Sequence, residues 1–111
     1  MEYLNRVEIK GTVTHDPKTF SVGDGSVTRL TVRTEEGYRT KGGELRCETT
    51  WHNVTAWSSP LNHTEGLRNG THVHVIGRLR NTRYKAADGT ERSFVEIVAQ
   101  KLSVIPDEEA K

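Results

Sequence analysis

The chain has little of what builds a large core. Of its 111 residues, 32% are hydrophobic and 6% aromatic, so the core is small and much of the surface is wet. Its single cysteine, Cys47, excludes an internal disulfide and fits a reducing cytoplasm. Cys47 itself reads as a small strand residue. No apolar run reaches the length of a membrane span or of a secretory leader, so neither is expected and the location expected is cytoplasmic. No nucleophile–base pattern, phosphate-cradling glycine loop or metal cluster stands out. Catalysis is therefore not expected, nor a cofactor or metal. The net charge of +1 argues neither for nor against nucleic acid.

What is present is alternation. Val7, Ile9, Gly11 and Val13 alternate with polar residues, the pattern of a half-buried first strand. Asp24-Gly25 supplies a turn, and Val27 to Thr34 reads as a second strand with Leu30 and Val32 on one face. Glu36-Gly37 through Gly42-Gly43 reads as a polar, flexible hairpin loop, and Leu45 to Trp57 as the third strand. Pro60 to Asn69 has room for one or two helical turns, ended by Asn69-Gly70. Thr71 to Arg80 alternates again. Asn81 to Arg92 is a second polar hairpin around Asp88-Gly89, and Phe94 to Val104 is the last strand. Residues 1–105 are expected as one domain and 106–111 as a short frayed tail.

Five strands, close-set turn signals and a short helix between strands three and four describe an all-β, five-stranded OB-fold barrel with long hairpin loops. A β-sandwich fits the strand count almost as well, and the position of the helical insert favours the barrel.

Trp51 and Trp57 lie six residues apart in one strand, and an even spacing puts both rings on one face. Such a pair is either core or a stacking platform for bases. Tyr38 and Tyr84 fall in the polar hairpins, where core packing explains them poorly. From Thr28 to Arg92 there are eleven basic residues against seven acidic ones, in the same stretch as both tryptophans and these two tyrosines. Single strands expose base faces and a phosphate rail, so a sequence-tolerant binder needs π surfaces beside cations. His72 and His74 share a strand face, but no third metal ligand accompanies them, and they read as solvated or interface residues.

The ordered set Asn5-Arg6-Val7, Gly11, Val13, Asp16-Pro17, Glu48-Thr49-Thr50-Trp51-His52-Asn53-Val54, Trp57, Gly77-Arg78-Leu79-Arg80, Asp88-Gly89, Arg92 and Glu96-Ile97-Val98-Ala99 resembles the bacterial single-stranded DNA-binding protein (SSB) family. The resemblance runs from Asn5 to about Leu102. It implies sequence-independent binding and protection of single-stranded DNA in replication, recombination or repair. The family's base-stacking positions fall on Tyr38, Trp51, Trp57 and Tyr84, and its DNA-tracking cations on Arg39, Lys41, Arg68, Arg80 and Arg83. It implies a homo-oligomer, with a tetramer favoured and a dimer as the alternative, and with His52 near subunit contacts. Tyrosine replaces the family's commoner tryptophan at both loop positions, and all four stacking positions stay aromatic. Asp107-Glu108-Glu109 is short beside the family's acidic recruiting tail, so no recruiting tail is evident in this sequence. The implied setting is nucleoid-associated or mobile-element encoded. The rival readings are a primosome-type or protein-interaction OB module using the same face, and an RNA or sugar binder.

Overall fold

A computed structural model describes residues 1–109. Five strands form it: β1 (Val7–Val22), β2 (Gly25–Arg39), β3 (Leu45–Trp57), β4 (His72–Lys85) and β5 (Glu91–Val104). They close into a barrel in the order β1-β2-β3-β5-β4. All neighbours are antiparallel except β3 and β5, which meet in parallel at Val54↔Ile97 and Thr55↔Val98. That short parallel contact closes the sheet on itself.

The alternation in the sequence sets which residues point inward. Val13, Leu30, Val32, Val54, Ala56, Val73, Val75, Ile97, Ala99 and Leu102 form the core, with Val7, Ile9 and Leu67 packed at its margin. Every member is aliphatic. Among the described residues, no aromatic side chain contributes to the core cluster. Two glycines permit the tight closure. A Cβ at Gly11 would run into the Arg33 carbonyl, and one at Gly77 into the Val98 carbonyl. Gly77 sits at a register shift in the β4–β5 ladder, where an irregularity lets a strand bend around the barrel.

Three segments differ from the sequence expectation. The first strand does not stop at Val13. A bulge between Thr14 and Lys18 absorbs the break in alternation, with His15 at a φ of 66°, and pairing with β2 resumes to Val22. The hairpin expected as a flexible loop over 36–43 is a laddered ribbon, and the second hairpin, expected around Asp88-Gly89, is laddered as well. Pairing of β2 and β3 runs out to Arg39↔Leu45, and that of β4 and β5 to Lys85↔Glu91. Only short turns at Thr40–Glu44 and Ala86–Thr90 remain. Polar side chains on both faces of a two-stranded ribbon look like loop composition, yet the backbone satisfies itself across the ladder. The arms carry the chain's radius of gyration to 16.2 Å, above the roughly 13 Å of a compact chain of this size.

The short helix expected between the third and fourth strands is absent among the described residues. Residues 58–71 run as successive turns. Pro60 removes a backbone donor, and Gly66 and Gly70 take left-handed φ values of 77° and 97° that end any helical run. The segment is pinned to β5 instead: His63 N–H donates to the Leu102 carbonyl at 2.9 Å, and Leu102 N–H to the Leu61 carbonyl at 3.1 Å. The Asn62 amide bridges the carbonyls of Trp57 and Ala99. Of the expected tail from Pro106, residues 110 and 111 lie outside the described residues; Glu109 N–H closes a turn on the Pro106 carbonyl.

Candidate nucleic-acid interface

Directly paired residues share a sheet face, so register turns the strand map into a surface map. On the outer face, Phe20 pairs with Val27 and Val27 with Trp57. Val27 is buried, yet it lies outside the core cluster; it is covered from the outside, between two aromatic neighbours. The next row runs Lys18, Arg29, Thr55, Val98. Further along, Thr12, Arg33 and Trp51 form a row of their own. Across the barrel, Arg80 faces Glu96, Thr82 faces Phe94 and Tyr84 faces Arg92. Tyr84 meets Phe94 edge-on, with ring centroids 5.9 Å apart and planes at 64°.

A groove of about 470 Å³ runs over this face, lined among others by Phe20, Arg29, Asn53, Thr55, Phe94 and Glu96. Trp51 is 63% exposed and Trp57 42%. The alternative that the tryptophans are core is therefore excluded. Tyr38 and Tyr84 are likewise about half exposed. An apolar ring left in water by a folded chain is unfavourable unless something covers it.

The structure brings together only part of the expected set. Trp51, Trp57 and Tyr84 share the outer face. Tyr38 pairs with Arg46 and falls, by register, on the opposite face of the β2–β3 arm from Trp51. Arg39 lies on the Trp51 side and donates to the Gly43 carbonyl of its own turn at 3.2 Å. Lys41 stands exposed in that turn. Arg83 lies on the β4–β5 face opposite Tyr84 and is 3.7 Å from Glu91. Arg68 stands apart, in a depression lined with Ile105 and Pro106. Arg80 is held by Glu96, through Nε at 3.0 Å and through Nη2.

Several residues of this face were not singled out from the sequence. Arg29 and Arg33 had a usable signal, since Leu30 and Val32 facing inward leave them facing out. Phe94 is likewise two residues from Glu96 on the outer side of β5. Phe20 keeps the parity of Thr12 and Thr14, because the β1 bulge inserts two residues, but it lies beyond the alternating run that marks the first strand.

His52 lies on the inward side of β3. Its Nε2 is 2.9 Å from the Thr34 hydroxyl. Partial burial pushes its pKa below the ordinary value, and Glu36 opposes the shift. His72 and His74 project from β4 beside β1, hydrogen-bonded to Thr12 at 3.0 Å and Glu8 at 2.7 Å respectively. Among the described residues, no group of three His, Cys, Asp or Glu side chains is placed to hold a metal.

A closed five-stranded barrel of this order, with aromatic rings and cations on its outer face, defines an OB-fold. Residues 4–105 match the Single-strand binding protein family, and the chain belongs to that family. It is 30% identical over 105 residues to the single-stranded DNA-binding protein of Neisseria meningitidis, covering 92% of this chain and 60% of that protein. The corresponding protein of Xanthomonas axonopodis is also 30% identical, over 92% of this chain and 58% of its own length. The chain thus spans about 60% of the length of these relatives. Among solved structures, a Plasmodium falciparum SSB in complex with ssDNA superposes with a TM-score of 0.78 at 22% identity, covering 96% of this chain and 98% of that one. A deletion mutant of the single-stranded DNA-binding protein from Thermus aquaticus gives 0.79 at 22% identity, over 94% of this chain and 51% of that one. Both share the fold.

Proposed function

We propose that the chain binds and protects single-stranded DNA without regard to sequence, in replication, recombination or repair, and that it acts as a binder rather than an enzyme. The observation that carries this reading is the position of the aromatics: none joins the core, and Phe20, Trp51, Trp57, Phe94 and Tyr84 gather on one outer face. Bases stack on these rings, each stack contributing about 1–3 kcal/mol. Tyr38 extends the stacking surface to the other side of the β2–β3 arm. Phosphates are met by cations: Arg39, Lys41 and Arg83 on the arms, Arg29 lining the groove, and Arg33 and Arg92 elsewhere on the outer face. Arg68 lines a separate depression and Arg80 is ion-paired, so neither carries the reading. Membership of the family supports the choice of ligand. It also supports self-association, to a tetramer, with His52 near the subunit contacts.

Titration with oligo-dT, followed by tryptophan fluorescence at low and moderate salt, tests it. Strong quenching that weakens as salt rises is expected, because each neutralised phosphate contributes about −0.7 to the slope of log K against log salt. Absence of binding at low salt would reject it and leave the partner-protein use of the same face.

A further inference from the structure

Glu96 does not fit a polyanion site at first sight. It is a carboxylate 3% exposed, on the outer face, lining the groove. Both of its oxygens are engaged. Oε1 accepts from Arg80 Nε at 3.0 Å and from Arg80 Nη2. Oε2 accepts from the Thr55 hydroxyl at 3.3 Å, tying β3 to β5 and β4. A buried charge of this kind persists only with its partner in place, and a guanidinium gripped through two nitrogens has its direction fixed. Arg80 therefore differs from the other cations of the face. Arg33, Arg83 and Arg92 make looser surface pairs with exposed carboxylates, at 3.4, 3.7 and 3.8 Å, which a phosphate readily displaces.

Building on the DNA-binding reading above, we infer that Glu96 is a positioning residue that withdraws Arg80 from the phosphate path and keeps the groove floor neutral for bases. The consequence is an orientation. The floor, which includes Phe20, Phe94, Thr55 and a Glu96 neutralised by Arg80, takes base faces. The unpaired and loosely paired cations at the rim and on the arms take the backbone. A carboxylate beside a phosphate would repel it, while the same carboxylate under a base, its charge met by Arg80, does not.

Salt slopes test this, with oligo-dT as the probe. In Glu96→Gln the Arg80 charge is released to the ligand, and the slope of log K against log salt becomes steeper than wild type by about 0.7, one phosphate. In Arg80→Ala/Glu96→Gln the slope returns to the wild-type value. A Glu96→Gln slope equal to wild type, or a double-variant slope shallower than wild type, would overturn the inference; a merely scaffolding Glu96 would alter melting temperature without steepening the slope. Should Glu96→Gln not fold, the wild-type protein answers by NMR. The Arg80 Nε–H resonance is expected to keep its position and its exchange protection when oligo-dT is added, and loss of that protection sinks the idea. Failure of the wild-type chain to bind oligo-dT strikes the functional reading itself, and this inference with it.

Discussion

The two tryptophans differ in what lies beneath them. Trp57 covers Val27, which is buried outside the core, whereas Trp51 stands in a row of polar and charged neighbours, Arg33 and Thr12. Trp51→Ala is expected to weaken oligo-dT binding by about 1–3 kcal/mol with an unchanged melting temperature. Trp57→Ala is expected to lose a similar amount of binding and also on the order of 1 kcal/mol of stability. Equal melting temperatures for the two variants would contradict the packing under Trp57. His52 provides a pH test. Its folded pKa lies below the ordinary 6.5 because burial disfavours the charged ring. Between the two values the unfolded chain holds a proton that the folded chain does not. The contribution to stability is therefore level above 6.5 and falls as pH drops toward the folded value. Thermal melts across that window should show the fall, and His52→Gln should flatten it. The sequence disclosed that Trp51 and Trp57 share a face, since parity alone decides that. It could not disclose which face, because the same spacing serves a core.

Elements were read well where alternation met the core and poorly where it left it. The inward residues of all five strands follow the pattern, from Val13 through Leu102. The extent of the arms is not legible in the sequence because past the barrel both ribbon faces meet solvent, and the period-2 signal disappears while the ladder continues to Arg39↔Leu45 and Lys85↔Glu91. The turns of residues 58–71 were misjudged because length allowed a helix while Pro60, Gly66 and Gly70 forbade it. Gly77 was noticed only as part of a motif. Its role is geometric: a Cβ there meets the backbone of Val98, which cannot swing aside as a side chain would. Gly77→Ala should cost about 1–3 kcal/mol, the usual range for overpacking, measured by chemical denaturation. A cost near zero would mean that β4 and β5 can part without loosening the barrel.

For the whole molecule, the proposed tetramer has a surface to draw on. Leu79 and Val95 are exposed beyond the core, and Tyr3 and Leu4 precede β1 in full solvent. The Asn5 amide fixes that leading segment by exchanging hydrogen bonds of 2.8 and 2.9 Å with the Leu79 backbone. Light scattering on a sizing column is expected to give the mass of four chains of 12.5 kDa, and a monomer at micromolar concentration would refute the assembly. Overall charge gave no guide to function, since its excess is local rather than global. An all-aliphatic core has an optical consequence. The chain's indole chromophores sit where a ligand would lie and away from the interior whose loss defines unfolding. Denaturation should therefore shift Trp51 emission little, because that ring is largely in water already, and leave the shift to Trp57, while a bound oligonucleotide should quench both strongly. In a Trp57→Phe variant, emission would then report occupancy almost free of folding, and melting would be followed by backbone circular dichroism.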